Sequence, residues 1–174
     1  QMVDLGYYAQ EHESLHPQLN LLEEMRLASD EAIAEQLIEQ PTRKIQPPSD
    51  GELRSLLGRF LLSGDQVYQR VASLSGGEKT RLALARLMLG GYNTLLLDEP
   101  TNNLDPHSRD QVRQALASFK GTLILVSHDT AFVEALNPDF ALVVGAGESG
   151  EAPYRYRGQM RYFDPSHLAL VSKI

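Results

Sequence analysis

Three short apolar runs, Leu95-Leu96-Leu97, Leu123-Ile124-Leu125-Val126 and Ala141-Leu142-Val143-Val144, alternate with segments of helical rhythm. Apolar runs without polar alternation suit strands buried on both faces, and strands separated by helices pair in parallel. The chain is thereby constrained to an α/β layer. Strands are expected at residues 94–98, 122–127 and 140–144, with helices at 75–89, 106–119 and 130–136. Ahead of this layer, residues 15–70 carry apolar positions three or four apart, which predicts helices over 21–40 and 52–62. Pro41 and Pro47-Pro48-Ser49-Asp50-Gly51 break the rhythm, and Ser49 or Asp50 caps the second helix. Residues 1–14 read as a short strand and a polar loop. The tail, 154–163, alternates aromatic and basic residues around Gly158 and reads as a terminal hairpin or edge strand.

Composition narrows the function classes. A net charge of −7 and a pI near 5.2 argue against an electrostatic nucleic-acid clamp in this segment. With no cysteine, disulfides and thiolate metal sites are excluded, and a reducing cytoplasm is the expected location. No apolar run approaches the roughly 20 residues that cross a bilayer, so no membrane insertion is expected. No export leader is expected either. Gln1 rather than Met points to a processed chain or a cut piece.

The chemistry concentrates in four places. Leu74-Ser75-Gly76-Gly77-Glu78 has the S-x-x-E spacing of a capping box at a helix start. Its two glycines let a phosphate approach exposed backbone N–H groups at the positive helix end; an ordinary capped helix is the plain alternative. About twenty residues on, Leu95-Leu96-Leu97-Asp98-Glu99-Pro100 ends a strand in two adjacent carboxylates. At the C-terminal edge of an α/β sheet, Asp98 can enter a Mg²⁺ shell and Glu99 can accept a proton from water. A strand ending in a charged turn is the alternative there. Asn102-Asn103-Leu104-Asp105 forms a polar turn before Pro106 at a helix start. Ser127-His128-Asp129 puts a histidine at another strand's end, where a structural role competes with a functional one.

In order and spacing these motifs resemble the ATP-binding cassette (ABC) ATPase family. LSGGE is similar to its signature motif, LLLDEP to its Walker B, NNLD to its D-loop and SHD to its switch histidine; Tyr7-Tyr8-Ala9-Gln10 resembles the Q-loop. The forms SLSGGEKTRLALARLML, LLLDEPTNNLD and GTLILVSHDTAFVEAL, with the tail from Tyr156 to Phe163, resemble the soluble F subfamily. Asn103 stands where that subfamily usually has histidine. The resemblance implies a Q-loop segment at 1–14, a helical subdomain at 15–72, the signature-to-histidine core at 73–150 and a terminal hairpin at 151–174.

No G-x-x-x-x-G-K-[ST] loop occurs among the 174 residues. Gly76-Gly77-Glu78-Lys79-Thr80 has Glu78 where glycine must precede the lysine. Gly145-Ala146-Gly147-Glu148-Ser149-Gly150 runs into Glu-Ala-Pro rather than a helix, so it reads as a turn and not a dinucleotide site. The expected fold is therefore a truncated P-loop NTPase-like core with parallel strands plus a helical subdomain. The resemblance implies a parent protein that hydrolyses ATP with Mg²⁺ between two cassettes. In it Glu99 serves as base, Asp98 and Gln10 hold the metal, and His128 senses the γ-phosphate. Ser75, Gly76, Gly77 and Glu78, with Asp105 of the D-loop, face ATP held by a second cassette. The implied partners are that cassette and the ribosome. A transporter's motor subunit and a non-catalytic assembly module are the competing readings, and the chain alone is expected to be inactive.

Overall fold

A computed structural model describes residues 3–8, 15–39, 41–42, 44–145 and 157–162, and the chain divides into two units, Gln1–Ser127 and His128–Ile174. In the first unit, β1 (Leu5–Tyr8), β2 (Thr94–Asp98) and β3 (Thr122–Val126) form a parallel sheet in that order. The connection from β1 to β2 contains α1 (Leu21–Glu39), α2 (Asp50–Arg59) and α3 (Gly76–Leu89), and α4 (Pro106–Ala117) links β2 to β3. The second unit contains α5 (Thr130–Leu136) and an antiparallel pair, β4 (Phe140–Gly145) with β5 (Arg157–Tyr162). Among the described residues no helix is long and apolar enough to cross a membrane.

The same device starts the first three helices. Asn20 Oδ1 accepts the Glu23 N–H while the Glu23 carboxylate accepts the Asn20 N–H, both at 2.9 Å. Ser49 with Glu52, and Ser75 with Glu78, repeat this reciprocal box. Each box satisfies two backbone donors that a helix start leaves orphaned. At the other end of α2, Leu61 takes a left-handed conformation (φ +57°). Leu62 N–H then reaches Leu57 O at 3.0 Å and Leu61 N–H reaches Gly58 O at 3.1 Å. This is a Schellman stop, clamped by the fully buried Leu57 and Leu62. It ends the helix at Arg59, short of the predicted 62.

One face of the sheet presents Gly6, Tyr8, Leu95 and Leu97 to α3. A Cβ on Gly6 would lie 2.9 Å from the Leu87 side chain, so glycine lets strand and helix close together. Leu95 and Leu97 are fully buried. The expectation of strands buried on both faces is corrected by the other side. Leu5, Tyr7, Ile124 and Val126 are all about half exposed, because within this unit the helix packing lies against the opposite face. Also corrected is the reading of 140–144 as a parallel strand: β4 pairs with the tail strand β5, Phe140 opposite Tyr162, as a hairpin. The aromatic–basic alternation of the tail predicted such a hairpin or edge.

Candidate functional site

Parallel pairing brings the C-terminal ends of the three strands to one edge, with Tyr8 beside Leu97 and Asp98 beside Val126. Asp98 closes the central strand, half-buried. Glu99 follows in the left-handed region at φ +49°, its N–H donating to Val126 O at 2.9 Å. A side chain in that conformation costs about 1–2 kcal/mol, and such strain persists only where the surroundings over-determine it. The bond to β3 is part of that determination. The left-handed φ then turns the chain out of the sheet immediately after Asp98.

The turn continues through Asn102 N–H to Glu99 O at 3.2 Å and Leu104 N–H to Thr101 O at 3.1 Å. Asn103 is again left-handed, at φ +64°. Pro100, Thr101 and Leu104 are buried beneath it. The turn ends at Asp105, which caps α4: Oδ1 accepts the Ser108 N–H at 3.1 Å and Oδ2 accepts its hydroxyl at 2.5 Å. These bonds, the hydroxyl first, pull the Asp105 carboxyl from its ordinary 3.8 to about 2. The folded-state value lies below the unfolded one, so its contribution to stability is complete above about pH 4 and is lost as pH falls toward 2. Asp105→Asn should therefore flatten the acid limb of stability between pH 4 and 2. Urea midpoints across that range that matched the parent's would show otherwise.

The start of α3 lies against this turn. Ser75 Oγ accepts the Glu78 N–H at 3.3 Å, and Glu78 Oε2 accepts the Ser75 N–H at 2.8 Å and its hydroxyl at 2.7 Å. Gln66 donates to the other Glu78 oxygen at 2.6 Å. The Ser75 backbone bond, then its hydroxyl, hold the Glu78 carboxyl below the usual range. Glu78 is thus occupied as a cap, which leaves Ser75, Gly76 and Gly77 to present the exposed helix end. A Cβ on Gly77 would sit 2.8 Å from the Asn103 carbonyl oxygen. Only glycine permits that approach, and it brings two motifs 26 positions apart into backbone contact.

The remaining predicted residues fall differently. Gln10 lies outside the described residues. His128 opens the second unit, exposed, with Asp129 next to it capping α5 through Phe132 N–H at 3.1 Å. Among the described residues no three His, Asp or Glu side chains cluster as a metal cage. A single carboxylate at a strand end fits a cation whose shell comes mostly from phosphate oxygens and water, as that of Mg²⁺ does. Sequence reasoning missed Arg81, whose guanidinium joins α3 to α4. The available signal was a charge sharing a helical face with Leu84 and Ala85, both fully buried.

A family model described as ABC transporter matches residues 2–102. The Bacillus subtilis protein YdiF is 43% identical over 134 residues, covering 77% of this chain and 18% of its own length. The human ATP-binding cassette sub-family F member 3 is 35% identical over 155 residues, covering 87% and 20%. This chain thus spans about a fifth of the length of these curated relatives. The ATP-binding cassette MJ0796, solved as a dimer in a post-hydrolysis state bound to ADP and Pi, superposes with a TM-score of 0.60. It is 23% identical, with 76% of this chain and 56% of that one covered, and the likeness shows the fold.

Proposed function

This chain belongs to the ABC ATPase family, in its F subfamily, and from that premise we propose that it is the signature-to-histidine part of a longer, ribosome-associated ATPase. In this reading a second cassette faces it, with ATP between the two. Glu99 accepts a proton from the attacking water, and Asp98 with Gln10 holds Mg²⁺. His128 contacts the γ-phosphate. The exposed helix end at Ser75, Gly76 and Gly77 meets ATP held by the opposing cassette, beside the D-loop ending at Asp105, while Glu78 keeps that helix end capped. When bound, Mg²⁺ supplies charge neutralisation at the phosphates. Residues 15–72 form the helical subdomain of this arrangement, and the reducing cytoplasm is its location.

The observation carrying this reading is the strained Glu99 at the edge of the central strand, on a turn that also touches the glycines of α3. Positioning of acid, water and phosphate is most of what phosphoryl transfer asks of a protein, and a backbone held out of its preferred region is one way to achieve it. The phosphate-binding loop of this chemistry is absent from the 174 residues. The expected result is Mg²⁺-dependent ATP hydrolysis by the longer protein and no binding of a labelled ATP analogue by the 174-residue chain alone. Micromolar binding by that chain would overturn the division of labour.

A further inference from the structure

We propose that Arg81 is a positioning residue that fastens the start of α3 and the turn at residues 102–105 into one rigid body, so that both are presented to the facing cassette together. This rests on the two-cassette reading above. The Arg81 side chain is only 11% exposed. Its Nη1 donates to Ser108 Oγ at 2.5 Å, and Ser108, 2% exposed, donates its hydroxyl to Asp105 Oδ2. Arg81 Nη1 itself stands 3.9 Å from that carboxylate. A relay therefore runs from the second turn of α3, through the first turn of α4, to the last residue of the turn that follows β2.

Two features make this a device for orientation rather than an ordinary ion pair. Arg81 Nε is buried with no hydrogen-bond partner among the described residues. A guanidinium with five donors thus makes one short bond and faces the Asp105 and Glu78 carboxylates from further off, a costly way to obtain stability alone. Its second feature is location: the relay braces the contact in which Gly77 meets the Asn103 carbonyl, with buried Leu104 wedged beside it. Without Arg81, Asp105 still caps α4, because both cap bonds come from Ser108. What is lost is the tie between α3 and that cap. Turn and helix end then move independently, while the groups proposed to act on the cassette's own ATP remain.

The test compares wild type, Arg81→Met, Arg81→Lys and Ser108→Ala in the longer protein by hydrogen exchange and by ATP turnover per folded molecule. In Arg81→Met, amides of residues 76–79 and 102–108 should exchange faster together, while those of α1 and α2 keep their rates. Turnover should fall about tenfold to a hundredfold, as for misplacement of a group by about 1 Å, with KM for ATP held within about twofold. Arg81→Lys, a point charge without the fork, should recover part of the loss. Ser108→Ala should lower turnover, and adding it to Arg81→Met should cost little more, since both break one relay. Unchanged exchange at 102–108, or faster exchange spread evenly over the unit, overturns the proposal whatever the turnover. Local exchange faster in a protein with no ATPase activity keeps the brace and removes the two-cassette reading instead.

Discussion

Glu99→Gln in the longer protein is expected to lower ATP turnover about a thousandfold, the middle of the range for loss of a general base, while nucleotide still binds. The substitution is nearly isosteric. Gln at φ +49° bears the same backbone strain as Glu, and the Glu99 N–H to Val126 O bond is untouched. Backbone strain is therefore the same in both proteins, and a urea midpoint for each separates any change in fold stability from the change in turnover. The loss can then be assigned to chemistry. ATP bound without cleavage should hold the two cassettes closed, so an ATP-dependent compact state ought to accumulate in scattering or cross-linking. Turnover within about threefold of wild type, in protein shown to bind ATP, would remove Glu99 from the role of base. The competing assembly reading predicts that unchanged turnover, so one measurement separates the two.

Much of the layer was legible because punctuation and burial agree in it. Thr94–Asp98 and Thr130–Leu136 have the predicted bounds: the first lies between a turn at Asn93 and the acid pair, and the second follows an Asp cap. Ser75 and Ser49 act as the caps their spacing implies. Two of the misses share a cause. Left-handed conformation at Leu61 and Glu99 falls on residue types that disfavour it, so no local signal marks it, whereas Asn103 is of a type that tolerates it. Hence the early end of α2 was hidden, as was the sharp turn after Asp98. The exposed side of the sheet was hidden for a different reason. An apolar run states what a strand can bury and says nothing of which covering element the chain supplies. Residue pairs distant in sequence were illegible altogether: Gly77 and Asn103, or Arg81 and Ser108, meet because β2 and its flanking helices are already in place.

Glu24→Ala should be strongly destabilising, costing about 3 kcal/mol, the low end for breaking a buried ion pair from one side, because Arg86 keeps Glu31 as a partner. A sequence reader would place Glu24 in the solvated first turn of α1, where the helix dipole favours an acid. The structure instead buries it completely. Its Oε1 accepts from Arg86 Nη1 at 2.5 Å, and its Oε2 accepts the His16 backbone N–H at 3.2 Å and faces His16 Nδ1 at 3.2 Å. One carboxylate therefore joins α1, α3 and the segment leading into α1. Alanine removes it and leaves a cavity beside a guanidinium that is only 16% exposed, with Glu31 as its other carboxylate at 2.5 Å. Against the roughly 5–15 kcal/mol that separates folded from unfolded domains, this is a large fraction. Glu24→Gln keeps an acceptor and the shape and should cost clearly less. The double change Glu24→Leu with Arg86→Met should recover part of the loss, since it fills the emptied site with apolar atoms and removes a guanidinium that has lost one of its carboxylates. Urea midpoints of the four proteins decide this, and a double variant no more stable than Glu24→Ala would mean that the tie to His16, rather than to Arg86, sets the cost.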